Sequence, residues 1–150
     1  MLKLVGAERA AKLGSDTDLK VIDAIFCKME AAHQKRDPTD EAELDANFHM
    51  AIIEASHNII MLHMMRSMFD LLRQGVFYNR QVMFKQRMTR EALLDQHRQM
   101  NIGLQARDPV AARAAVVAHL SYVEQSLAAQ IKAERNEAVA KQRFEHEQSR

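Results

Sequence analysis

Residues 93–120, LLDQHRQMNIGLQARDPVAARAAVVAHL, read as two helices doubled back on each other. Leu93, His97, Met100 and Leu104 recur at three- and four-residue steps, which lines them along one helical face. Asp108-Pro109 closes that helix and opens the next, because an acidic residue caps a helix start and proline is tolerated at the first helical position. Beyond the break Val116, Leu120 and Val123 continue an apolar stripe, with His119 beside it. His97 stands eleven residues before Asp108 and His119 eleven residues after it. At 1.5 Å per residue both lie ~16 Å from the reversal. An antiparallel pair therefore sets the two imidazoles side by side.

The rest of the chain is punctuated in the same way. Residues from about Leu2 to Leu13 form a short helix stopped by Gly14. Ser15 and Asp18 make a box-like start for a second helix, which carries Val21, Ile22, Ile25, Phe26 and Met29 and breaks at Asp37-Pro38. Thr39 is the expected cap of a third helix, with Asp40, Glu41 and Glu43 set against the positive end of its dipole. Leu44, Phe48, Ala51, Ile52 and Ala55 make its apolar stripe. Asn58 then caps a fourth helix with two stripes: Leu62, Met65, Phe69, Leu72 and Val76 on one side, Ile60, Met64, Met68 and Leu71 on the other. A helix apolar on two sides is central or shared with a partner subunit. A turn from about Met83 leads to Thr89, the expected cap of the fifth helix. The last helix extends its stripe through Leu127 and Ile131 into a charged tail, Lys132 to Arg150, predicted to be an exposed helix that frays. Only four glycines and two prolines interrupt 150 residues dominated by good helix formers. The predicted fold is all-α, a compact antiparallel bundle of about six helices, with residues 1–131 as the folded domain and 132–150 as the tail.

Composition excludes several classes of function. The formal charge is +1, with basic and acidic residues interspersed, so no stripe suited to duplex DNA emerges. The lone Cys27 has no partner for an internal disulfide and reads as a small buried hydrophobe. No apolar run approaches the ~20 residues that span a bilayer. Lys3, Glu8, Arg9 and Lys12 break any signal-peptide pattern at the start, so the expected setting is the cytoplasm, without a membrane partner.

The chemistry lies where polar residues interrupt the apolar faces. Asp45 and His49 stand four apart, one helical turn above the other, flanking the Leu44–Phe48–Ile52 stripe. Joined by His97 and His119 they offer three nitrogens and one carboxylate oxygen, a donor set suited to a borderline divalent ion. Zinc or nickel comes first, manganese or iron next, at one ion per chain. Ligands drawn from three helices leave coordination positions for water or for the carboxylate of an incoming molecule. The other histidines lack this support: His33 and His146 read as solvated, His57 as a turn residue, and His63 has no carboxylate partner at helical spacing.

These residues also carry a family resemblance. The run Asp45-Ala-Asn-Phe48-His49, then Glu54-Ala-Ser-His-Asn58, His97-Arg98, Asp108-Pro-Val-Ala-Ala-Arg113 and His119-Leu120 resembles the FadR-type C-terminal effector domain, or FCD domain, of GntR-family transcription regulators. The likeness covers about Leu4 to Ile131 and is nearest to regulators that respond to pyruvate, lactate or glycolate. It implies a helical bundle that dimerises as a homodimer. It also implies that Asp45, His49, His97 and His119 hold a metal, which anchors a small carboxylate effector of the 2-hydroxy or 2-keto acid class. DNA is then contacted only through an N-terminal winged helix-turn-helix, and an effector shifts that equilibrium only by its differential affinity for the two states. No winged helix stands in this chain, and the opening helix is shortened at Met1, which is expected to cost the pocket an arginine. Arg66, Arg80 and Asn58 are the candidate effector contacts, since arginine pairs bidentately with carboxylates. For Arg66 and Arg80 the plainer reading is a surface salt bridge; for Asn58 it is the helix cap. Met61, Met64, Met65 and Met68 read as adaptable packing.

Two other functions are compatible with the same residues. A metal hydrolase would use the cluster to activate water, but would need a general base on the metal-facing stripes, where no further glutamate is expected and Glu54 falls on the wrong side. A metal-free helical interaction module would carry the histidines incidentally and be indifferent to chelators.

Overall fold

The computed structural model describes residues 2–70 and 87–149. Helices occupy α1 (Leu2–Leu13), α2 (Asp16–Lys35), α3 (Pro38–Ala55), α4 (residues 59–70), α5 (Arg87–Gln105) and α6 (Pro109–Gln148), with no strand among the described residues. The fold is an all-α bundle. Contacts divide the chain into two compact units at His119, residues 1–119 and 120–150. None of the described helices is long and apolar enough to cross a membrane.

Several of the described helix boundaries have a clear chemical cause. Ser15 Oγ accepts the Asp18 N–H at 3.0 Å, and the Asp18 carboxylate accepts the Ser15 N–H at 2.8 Å, a reciprocal box that opens α2. Asp108 Oδ1 accepts the N–H groups of Val110 and Ala111 at 3.1 and 3.0 Å, opening α6. Asp37-Pro38 uses the same device. Asp37 Oδ1 accepts from Thr39 and Asp40, and the helix begins at Pro38. The expected cap Thr39 is therefore already inside α3, because proline lacks only an N–H that a first turn does not use. Thr89 likewise lies within α5 and is buried, since residues 87 and 88 before it are already helical. Asn58 caps α4 through the Met61 N–H at 3.0 Å.

Three helix ends are closed by residues other than glycine in the left-handed region: Arg36 (φ 57°), His57 (φ 51°) and Arg107 (φ 52°). At α5 the Arg107 N–H reaches the Leu104 carbonyl and the Asp108 N–H the Gly103 carbonyl, both at 3.0 Å, a Schellman closure that leads straight into the Asp108 cap. Gly103 also sets how closely α5 and α6 approach. A methyl group there would lie 2.8 Å from the Ala112 backbone nitrogen.

The core of the first unit is built from Ile22, Phe26 and Met29 of α2, Phe48 and Ile52 of α3, Leu93, Met100 and Leu104 of α5, and Ala112 and Val116 of α6. Burial of each large side chain contributes roughly 1.5–3 kcal/mol. Asn101 of α5 donates to Asp23 of α2 at 2.8 Å, and Gln105 donates to the Leu19 carbonyl at 2.8 Å, fixing the register of these two helices. Met61 and Met65 pack on Ile53, with Leu62 and Phe69 partly buried against them, whereas Ile60, Met64 and Met68 are exposed. Leu71, Leu72, Val76 and the turn expected from Met83 lie outside the described residues. Cys27 is exposed, not buried. It sits one residue past Phe26, about 100° around the helix from the inward face.

In the second unit, Leu120, Val123 and Leu127 are half-buried, and every residue from Ile131 to Ser149 is exposed. The helix nevertheless continues to Gln148 where the sequence predicts fraying after Ile131. Ala, Glu, Lys, Arg and Gln keep helix propensity high there, and the pairs Gln130–Glu134 and Glu137–Lys141 span single turns.

Candidate metal centre

Three helices bring four donors to one point. Asp45 and His49 come from successive turns of α3, His97 from the middle of α5 and His119 from α6. Their candidate ligand atoms all lie within 4.8 Å of one another. Asp45, His97 and His119 are fully buried and His49 is 3% exposed. The α5–α6 reversal sets the His97 and His119 rings 4.7 Å apart between centroids, and His49 stacks on His119 at 5.1 Å. Phe48, next in sequence to His49, meets the His97 ring edge-on at 5.4 Å and forms an apolar wall.

The distances suit a shared cation. Two ligands bonded to one ion at 2.0–2.1 Å and roughly 90–110° apart stand ~2.9–3.4 Å from each other. Asp45 Oδ1 lies 2.8 Å from His97 Nε2 and 3.6 Å from His49 Nε2, and the two Nε2 atoms face each other at 3.3 Å. Facing ring nitrogens can share at most one proton or one cation. Burial, helped by the positive charge of Lys3 and opposed by Asp45, pushes the His49 pKa down to about 3, so the ring is neutral and its lone pair available. His119 turns Nδ1 towards Gln96 Oε1 at 3.0 Å, a contact that fixes the ring's orientation. The residues fit a divalent ion with nitrogen and oxygen ligands, which at this position would act as a Lewis acid towards an incoming carboxylate.

A further charged group lies one turn away. Glu41 precedes Asp45 by four residues on α3 and is 4% exposed. Arg90 of α5 donates to its Oε1 at 2.8 Å through Nε and to the His33 carbonyl at 2.6 Å through Nη2. His33 Nδ1 lies 3.5 Å from the other Glu41 oxygen. Burial raises the Glu41 pKa, while Arg90 and then His33 pull it back towards the charged form. Read from the sequence, Glu41 is a first-turn acid and His33 a solvated residue; the fold places both at the edge of the buried layer. The i,i+4 step from Glu41 to Asp45 was the available signal. The cation that makes its burial tolerable comes from Arg90, 49 positions away, and no local pattern announces it.

The candidate effector contacts are placed differently. Arg66 is half-exposed and pairs with Glu54 at 3.1 Å. Asn58 spends its side-chain oxygen on the α4 cap. Arg80 falls outside the described residues.

The fold and the cluster together define an all-helical domain organised around a buried histidine–aspartate centre. Residues 1–122 match the family model of the FCD domain, and the chain belongs to that family, the effector-binding domain of GntR-type transcription regulators rather than an enzyme family. Over 91 residues, 61% of the chain, it is 40% identical to the "Putative L-lactate dehydrogenase operon regulatory protein" of Escherichia coli K12. Over 130 residues, 85% of the chain, it is 29% identical to the Glc operon transcriptional activator of the same organism. The matched parts cover 35% and 51% of those relatives. Among solved structures, E. coli McbR/YncC superposes with a TM-score of 0.71 at 17% identity, covering 88% of this chain and 60% of that one, which is a likeness of fold.

Proposed function

We propose that residues 1–131 form a metal-dependent sensor for a small carboxylate, with 132–150 as a charged helical tail. The observation that carries this reading is the convergence of Asp45, His49, His97 and His119 within 4.8 Å in a buried site. Zinc or nickel suits the three imidazoles and one carboxylate best, with manganese or iron behind them. The ion would supply a positive charge inside a low-dielectric layer, where an effector's carboxylate is attracted far more strongly than in water. Two relatives carry names tied to an L-lactate dehydrogenase operon and to the Glc operon, which supports a 2-hydroxy or 2-keto acid as the effector class. Arg80 is retained as a carboxylate contact. Arg66 and Asn58 would each have to exchange a partner they already hold. The sensor works as a homodimer in the cytoplasm and addresses DNA through an N-terminal domain of the full regulator.

Elemental analysis of protein purified without added metal is expected to find one divalent ion per chain. Calorimetry with L-lactate, pyruvate and glycolate is expected to show saturable binding of at least one acid, lost after chelation and in His97→Ala. Acid binding that is unchanged by either treatment would overturn the metal-anchored reading and leave a metal-free module.

A further inference from the structure

Asp45 and His97 form one layer between α3 and α5. Glu41 lies four residues before Asp45, and Arg90 seven before His97, so Glu41 and Arg90 form the neighbouring layer on the same helix faces. Between the layers lies a void of about 10 Å³, lined by Met29, Glu41, Leu94 and His97. That is the space of a single water molecule. His97 is fully buried, and its Nδ1 is a buried polar atom with no hydrogen-bond partner among the described residues. Its other nitrogen is the one that faces Asp45 and His49. A metal-bound imidazole must carry its proton on the nitrogen away from the ion, and that N–H requires an acceptor when buried. The Leu94 side chain offers none and the Met29 thioether only a weak one. Among the described residues, Glu41 brings the one carboxyl group to the wall of the void.

Resting on the metal reading above, we infer that Glu41 is a positioning residue for the metal: through one water in this void it accepts the Nδ1–H of His97, directing Nε2 at the ion. The Arg90 guanidinium, itself donating to the His33 backbone carbonyl, holds the Glu41 side chain at the edge of the layer. The Arg90–Glu41 pair thereby orients a ligand instead of merely joining α3 to α5. Residues in this relation to a metal change its affinity by about 10- to 100-fold when removed.

The test is zinc affinity by competition with a chromophoric chelator, in wild type, Glu41→Gln and Glu41→Ala. Circular dichroism on the metal-free forms confirms that each is folded. Affinity is expected to fall about 10- to 100-fold in Glu41→Ala and by less in Glu41→Gln, which keeps an acceptor oxygen. Long-range proton–nitrogen correlation spectra of the zinc-loaded proteins supply a readout that loss of packing alone would not move. The His97 Nδ1–H is expected to be protected from solvent exchange in wild type and to exchange at least tenfold faster in Glu41→Ala. The wild-type spectrum carries the test even if the alanine variant does not fold. An unprotected Nδ1–H in wild type, or unchanged affinity in both variants, overturns this assignment while the metal site stands. No zinc uptake by wild type overturns both.

Discussion

The molecule sets aspartate against histidine in two places that differ mainly in water. In the buried layer, Asp45 meets His97 at 2.8 Å with both side chains fully buried. At the surface, Asp18 meets His57 at 2.6 Å with the side chains 28% and 55% exposed. Solvent screens the second pair, so it is worth less than about 1 kcal/mol and serves to tie the start of α2 to the turn between α3 and α4. In the first, burial holds His49 neutral and crowds ring nitrogens to 3.3 Å, an arrangement that a shared proton or a shared cation would relieve. The same two residue types make a brace when wet and, on the proposed reading, a ligand set when dry.

The largest effect that separates the two settings is chelation. A ligand bound only by the native state stabilises it by ~4 kcal/mol when present at a thousandfold over its dissociation constant. Thermal unfolding of wild type is therefore expected to fall by several degrees on removal of metal, that of Asp18→Asn by the same amount, and that of His97→Ala not at all. A chelator response in His97→Ala equal to wild type would break the distinction. Next in size is Gly103→Ala. Its methyl group meets backbone at Ala112, which cannot swing aside as a side chain could, so a loss of about 1–3 kcal/mol is expected in denaturant melts. Forcing α5 from α6 also separates His97 from His119, and zinc content after purification should drop with it.

Much of this was legible in the sequence, for identifiable reasons. The Asp108-Pro109 reversal fixes the height of His97 and His119 by arithmetic alone, because a helix has a constant rise and the closure is short. Asp45 and His49 were readable as a pair one turn apart. The centre of the α3 inward face was less legible: Leu44 is half-buried while Asp45 and His49 are buried, since the helix is rotated towards its polar residues by what they meet on α5 and α6. Apolar periodicity cannot foresee a polar residue that is buried because of a partner far along the chain. Glu41 with Arg90, and His33 beside them, were missed for that reason. The start of α3 at Pro38 was missed because threonine and aspartate are both good caps, and the choice between Asp37 and Thr39 depends on backbone geometry at proline.

The surface setting gives the smaller predictions. Ser15→Ala removes the hydroxyl half of the α2 box and is expected to cost about 1 kcal/mol. The Ser15 backbone N–H, more than His57, draws the Asp18 pKa below its ordinary value. A carboxylate depressed in the folded state contributes its full stability above its unfolded pKa and loses it as pH falls through the folded one. The Asp18→Asn deficit should therefore shrink at strongly acid pH and be constant near neutrality.

The smallest effect is a matter of sign. His57 holds φ 51° without being glycine, and among the described residues its side chain offsets that strain through the screened pair with Asp18. His57→Ala loses the pair and keeps the left-handed backbone, so a loss of up to about 1 kcal/mol is expected. His57→Gly loses the same pair but relieves roughly 1–2 kcal/mol of left-handed strain, partly offset by the greater entropy of glycine in the unfolded chain. The glycine variant should thus melt at or above wild type and clearly above the alanine variant, with zinc affinity unchanged in both. If alanine proved the more stable of the two, the turn would not depend on left-handed geometry. If either altered zinc affinity, the surface pair would be coupled to the buried one, and the contrast between wet and dry settings would fail.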